Sequence, residues 1–250
     1  MSKKLRLKAY LMRSGQFDKI YQAEQEIRKG NIFVDGKQIK NIDFQVKKNQ
    51  EISYKINGIK KKLNLKEKTY LVLNKPRGCV CQKTDEEKSV YELIYKIPEL
   101  DMETKKTLFC VGRLDRDTEG LLLVTNDGDL SNYLMKPEKH IQKTYFVQTL
   151  KKVSEKDLEE LRKGILIMDD DTGDVDVAHA TQSKLVSQNS VEITIDEGRK
   201  RQVKKMFEKI ENKVVYLKRI SIGNLRLDDL DFKGKYYLIL KHEDLEGKFV

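Results

Sequence analysis

The chain has 250 residues, 38% of them hydrophobic and 36% charged, and a formal net charge of +10 at pH 7. This is enough for one large or two modest domains, and no apolar run nears the roughly 20 residues of a membrane helix. The basic N-terminus has no apolar signal core. The three cysteines are odd in number, and Cys79-x-Cys81 is too tight a pair for an ordinary disulfide or a zinc site. A cytoplasmic, monomeric protein with reduced thiols, no membrane segment and no metal is expected.

The charge is segregated. Residues 1–62 hold 16 Lys or Arg against 6 Asp or Glu, whereas residues 63–250 hold 34 of each. A domain-sized basic surface joined to a neutral body points to a polyanion partner, nucleic acid first.

In chain order, residues 3–14 predict a short basic helix and residues 17–29 a second, with Ile20, Ala23 and Ile27 at helical spacing and Gly30 as its stop. Residues 31–41 read as two strands around an Asp35-Gly36 turn, and Asn57-Gly58 repeats the device. This order of elements resembles the alpha-L RNA-binding domain, which a small-subunit ribosomal protein shares. The resemblance covers about residues 3–57, although Phe17-Asp18-Lys19 replaces the usual serine and arginine at the start of the second helix. It implies a basic helical face on RNA phosphates, made here by Lys3, Lys4, Arg6, Lys8, Arg13, Arg28 and Lys29. Such contacts bring affinity and salt dependence with little sequence choice. The expected divisions are residues 1–60 for this domain, 61–68 for a charged linker and 69–250 for a second domain.

The second domain opens with a strand at 70–74 that runs into Lys75-Pro76-Arg77-Gly78, a turn with two cations facing a polyanion. Residues 89–98 form a short helix stopped by Pro98. Residues 112–130 are the most informative stretch: a charged segment, a buried strand (LLLVT) and an Asn126-Asp127-Gly128 turn. Arg113, Asp115, Arg116, Asp117 and Glu119 crowd seven residues, which is costly beside a buried strand unless the charges are paired or used. Taken alone, the segment reads as a solvated loop. Its Asp-x-Asp-x-Glu-Gly start suggests a calcium loop, but the twelfth position is Asn126 where a bidentate Glu belongs. A single catalytic Asp with an Arg two residues before it is the third reading. A helix follows from 129, with Asp129 as its cap. Then come a strand at 140–149, a helix at 154–164 with a Ser154–Asp157 capping box, an acidic hairpin tip at 169–176, a strand from 190 and an amphipathic helix holding Val203, Met206, Phe207 and Ile210. A strand at 236–240 closes the sheet, and the tail after Lys241 is polar.

Three of these stretches resemble the motifs of ribosomal-RNA pseudouridine synthases, in the family's order: L-N-K-P-R-G at 73–78, G-R-L-D-x-x-T-x-G-L at 112–121, and E-G-R-x-x-Q-V-K-K-M-F at 197–207. Lys143-Thr144-Tyr145 resembles the family's K-x-Y segment. Arg201 stands where the family usually has His. The resemblance implies an α+β fold, a mixed and mostly antiparallel sheet with helices around a central cleft. It implies isomerisation of a uridine in ribosomal RNA, or in an assembly intermediate, without a cofactor. Asp115 matches the catalytic Asp, Tyr145 the tyrosine under the base, and Lys204 the cation beside the Asp, with Arg199 second. Arg113 is placed to fill the space of a flipped base, Lys75, Arg77 and Lys143 to meet RNA, and Gln202 to contact the RNA or to order the site. Two other classes are carried: a non-catalytic RNA-binding or ribosome-assembly factor on the same scaffold, and a metal-dependent phosphodiesterase using the Asp-rich loops.

Overall fold

The computed structural model describes residues 5–47, 49–84 and 86–249. Lys3 and Lys4 fall outside them. The chain divides into two compact units, one running to Thr69 and including Leu93–Phe109, the other made of Tyr70–Glu92 and Cys110–Val250.

In the first unit, helices Leu7–Arg13 and Ile20–Lys29 present Leu7, Leu11, Ala23 and Ile27 to Ile32 and Ile52 of a small sheet, all fully buried. The sheet is antiparallel throughout, in the order Lys37–Ile39, Ile32–Val34, Ile52–Ile56, Ile59–Leu63. The two hairpin tips take positive φ at both turn residues, 48° and 78° at Asp35-Gly36 and 48° and 84° at Asn57-Gly58, the geometry that matches the twist of the flanking strands. Two expectations are corrected. The first helix begins only at Leu7, because Leu5–Arg6 pairs as a strand with Gln45–Val46. Residues 61–63 of the expected linker complete a strand, Ile59–Leu63, which the Asn57-Gly58 turn starts. A helix that the sequence did not announce, Met102–Thr107, belongs to this unit. Asp101 caps it by accepting from the Thr104 side chain and backbone, bonds that hold its carboxyl at about 2.

The second unit is a mixed, mostly antiparallel sheet. Its strands run in the order Gln182–Ser187, Ser190–Ile195, Lys143–Thr149, Val214–Ile222, Glu119–Thr125, Tyr70–Lys75, Tyr237–Leu240. The pair between Glu119–Thr125 and Val214–Ile222 is parallel, with Arg219 opposite Gly120. Gly120 permits this: at φ +101°, an added Cβ would come within 2.2 Å of the Arg219 carbonyl oxygen. The central strand is apolar from Leu121 to Val124 and fully buried, as a strand covered on both faces must be. Helix Gln202–Lys209 buries Val203, Met206 and Phe207 and packs on Val214–Ile222 and Ile165–Met168.

The helix Gly128–Met135 is capped by Asp127, whose carboxylate accepts from the amides of Asp129 and Leu130. Asp129, the cap expected from sequence, is instead inside the first turn. The polar tail carries two apolar anchors, Leu245 and Phe249, which are buried in the core with Tyr70, Val72, Leu121 and Leu123.

Candidate active site

The candidate site lies at the end of the two neighbouring strands Tyr70–Lys75 and Glu119–Thr125, where the charged segment 112–118 enters. That segment has little regular structure, so its backbone groups need partners from elsewhere. Lys75 supplies them. It is fully buried, and its ammonium donates to the carbonyl oxygens of Thr118 (2.7 Å), Asp115 (3.1 Å) and Pro76 (3.2 Å). Burial pulls its pKa down, with the nearby thiols and aspartates opposing. The amide of Gly78 donates to Arg116 at 2.7 Å. The Cys81 sulfur takes the amide of Leu114 at 3.4 Å and reaches its carbonyl at 3.5 Å. A hydrogen bond from Cys110 holds the Cys81 thiol below the usual thiol range. The turn Lys75–Cys81 is therefore a cradle for the loop that carries Asp115. Lys75 has no surface to offer a polyanion, which corrects its expected place among RNA contacts; Arg77, two residues on, is exposed.

The Asp115 side chain is one-third exposed and takes the Lys204 ammonium on Oδ2 at 2.9 Å. Lys204 is nearly fully buried and reaches Asp117 Oδ1 as well, at 2.5 Å. Burial works against ionisation of Asp117, but the Lys204 hydrogen bond and charge outweigh it and hold that carboxyl below its ordinary value. The sequence thus pairs Lys204 with Asp115 across 89 residues as expected, and Asp117 joins them. Arg199, the second candidate partner, is engaged elsewhere: its ion pairs are to Glu197 (3.2 Å) and Asp176 (3.3 Å).

The ammonium of Lys204 is aimed by the turn before its helix. Arg201, at the N-cap, is left-handed at φ +57°, an uncommon conformation for a residue with a side chain. Gln202 stabilises that turn. It is buried, accepts from the Arg199 amide (3.0 Å) and donates to Glu197 (2.7 Å). Its amide orders the loop from within. The acidic hairpin tip is neutralised by the same region, Asp171 on Lys200 and Asp170 on Lys205. Among the described residues, no group of three or more His, Cys, Asp or Glu side chains is placed to hold a metal ion.

Asp115 opens on a cavity of about 100 Å³, also lined by Arg113, Met135, Lys143, Tyr145, Ile195, Leu217 and Arg219. Tyr145, 8% exposed, projects from the strand Lys143–Thr149. Lys143 donates to the Ile141 carbonyl (2.9 Å), and burial, with the charge of Arg219 behind it, lowers its pKa. Arg113 is exposed at the mouth. Asp115, Tyr145, Lys143, Arg113 and Arg199 are thus brought to one cavity, with Lys204 behind Asp115. Arg219 was missed, although a cation inside the apolar run of Val214–Ile222 was a signal to follow. In the other unit Arg6, Arg28 and Lys29 are exposed, while Lys8 and Arg13 are half-buried; Lys8 pairs with Glu24 and Lys29 with Glu26.

A family model described as RNA pseudouridylate synthase matches residues 69–209, and an S4 domain model matches residues 5–52. The chain belongs to the RNA pseudouridylate synthase family. It is 33% identical to ribosomal small subunit pseudouridine synthase A of Haemophilus influenzae, over 89% of this chain and 90% of that one. It is 35% identical to ribosomal large subunit pseudouridine synthase B of Bacillus subtilis, over 84% and 82%. A crystal structure of a pseudouridylate synthase superposes with a TM-score of 0.66 at 30% identity, covering 98% of this chain and all of that one. No helix among the described residues is long and apolar enough to cross a membrane.

The cradle makes a prediction. Lys75→Met keeps the apolar stem and removes the ammonium, leaving three carbonyls, that of Thr118 buried, short of this donor. Urea unfolding should show a loss of about 1–3 kcal/mol, while filter binding shows RNA affinity little changed. Weaker RNA binding with unaltered stability would return Lys75 to the RNA surface.

Proposed function

We propose that this chain isomerises a uridine in ribosomal RNA, or in a ribosome-assembly intermediate, to pseudouridine in the cytoplasm, without a cofactor. The observation that carries the reading is the Asp115 carboxylate at the cavity wall beside Tyr145, charge-paired to the buried Lys204. The reaction breaks the bond between the sugar C1′ and the uracil N1, turns the base and joins C5 to C1′. The electron pair that leaves with uracil returns in the new bond, the C5 proton goes to solvent and N1 takes one up, so no oxidant or group donor is needed.

Each residue has a part. Asp115 acts at the sugar, as nucleophile at C1′ or as base beside it, and Lys204 holds its carboxylate in place through the 2.9 Å contact. Tyr145 stacks on the uracil and assists loss of the C5 proton. A uridine inside folded RNA must leave its stack, and Arg113 at the cavity mouth fills the space left behind. Arg77, Lys143 and Arg199 meet the backbone around the target. The N-terminal unit adds phosphate contacts through Arg6, Lys8, Arg13, Arg28 and Lys29. This is affinity of the salt-sensitive kind. Support for ribosomal RNA comes from the activities named for the Haemophilus and Bacillus relatives.

The test uses ribosomal RNA transcripts carrying tritium at C5 of uridine, since isomerisation replaces that hydrogen. The wild-type protein should release tritium without added metal or cofactor, and Asp115→Asn should release none while binding RNA within about threefold of wild type. Binding without release by the wild type, on naked RNA and on assembly particles alike, would favour the non-catalytic factor. A strict Mg²⁺ requirement with strand cleavage would favour the phosphodiesterase.

Replacing Arg6, Arg28 and Lys29 together by Gln should lower the magnitude of the salt slope of RNA binding by roughly one for each phosphate that is no longer neutralised. An unchanged slope would place the phosphate-binding groups elsewhere.

A further inference from the structure

Arg219 is 2% exposed, in the middle of the strand Val214–Ile222, directly opposite Tyr145 in the antiparallel register. Its Nε donates to the Leu121 carbonyl at 2.8 Å. Its Nη2 is buried and, among the described residues, has no hydrogen-bond partner. No carboxylate of the described residues forms an ion pair with it. The residue nevertheless lines the cavity with Asp115 and Tyr145.

Such a group is costly. A buried guanidinium stays charged at any pH the protein meets, so it cannot escape by losing its proton. An unsatisfied charged donor costs more than a neutral one. The neighbouring Lys143 adds to the strain: its ammonium is disfavoured by burial and by Arg219. The cavity wall therefore holds a fixed cationic donor whose acceptor is not supplied by the described residues. What fits there is a ligand with an oxygen acceptor that can carry negative charge.

Uracil has that chemistry. O2 and O4 are both acceptors. When the C1′–N1 bond breaks, the electron pair that stays on the base spreads onto both oxygens, and it returns from C5 in the C5–C1′ bond. We propose that Arg219 is a catalytic residue whose guanidinium donates to one carbonyl oxygen of the uracil lying on Tyr145, and that it holds the charge on that oxygen while the base is detached. This rests on the isomerase reading above. A fixed donor aimed at developing charge in a water-poor site accelerates the step in which the charge appears. If the oxygen is O4, the same donor rejects cytosine, whose amino group at that position would leave both groups unpaired.

The experiment replaces the target uridine, once mapped, by 2-thiouridine or by 4-thiouridine, since sulfur is a weaker acceptor. Single-turnover rates are measured with the wild type, Arg219→Met and Arg219→Lys. Arg219→Met should slow turnover by about 100-fold or more, with RNA binding within about threefold. One of the two sulfur substitutions should slow the wild type by about tenfold and slow Arg219→Met hardly at all, a non-additivity that marks a direct contact. Equal slowing of wild type and variants by both substitutions would overturn the proposal, as would wild-type rates in Arg219→Met. If Arg219→Met does not fold, Arg219→Lys takes its place in the cycle, and a wild type indifferent to sulfur at either position overturns the proposal without any variant. A wild type inactive on unmodified RNA removes the isomerase reading itself, and the inference with it.

Discussion

A buried ammonium is tolerated only where carboxylates stand beside it and its hydrogen bonds are filled. The site is arranged around that constraint. Lys204, nearly fully buried, bonds both Asp115 and Asp117, so the ammonium itself is compensated twice over. A buried pair of this kind needs good geometry and filled hydrogen bonds to be tolerated. Asp117 completes the set from the exposed side. Gln202 acts one step back, by holding the turn from which the helix of Lys204 departs.

Geometry of this quality requires a loop that cannot drift. Segment 112–118 is irregular, yet the Lys75 ammonium, the Gly78 amide and the Cys81 sulfur hold its backbone at four residues. The strands that carry these groups are themselves drawn together at Gly120, which lies opposite Lys75 on one side and Arg219 on the other. A single glycine thus joins the strand of the loop's support, the loop that carries Asp115 and the strand of the cavity's buried arginine.

Much of this was legible in the residues. The apolar run 121–125 could only be a covered strand, and the alternation at Val191, Ile193 and Ile195 and the helical spacing of Val203, Met206 and Phe207 fixed the flanking elements. Asn-Gly and Asp-Gly turns gave the small sheet of the first unit. Other features were not local. The helix Met102–Thr107 is a polar METKKT stretch with no apolar period, and it is held by Asp101 and by packing in its unit. The capping role went to Asp127 over Asp129, because it is the Asp127 carboxylate that reaches the free amides of the first turn. Lys75 and Gln202 looked like surface groups by type. Only the fold shows that their polar ends are used on the protein's own backbone and turn. Arg219 was hidden for the opposite reason: the partner of its Nη2 is not another residue of the described chain.

The central claim is that the Lys204 charge makes Asp115 chemically competent. The direct measurement is the single-turnover isomerisation rate of Lys204→Met at saturating RNA, beside its RNA affinity. The account predicts a rate lower by a factor of about 100 or more, a barrier increase of about 2.7 kcal/mol, with affinity nearly unchanged. A variant that folds and turns over at the wild-type rate would contradict it.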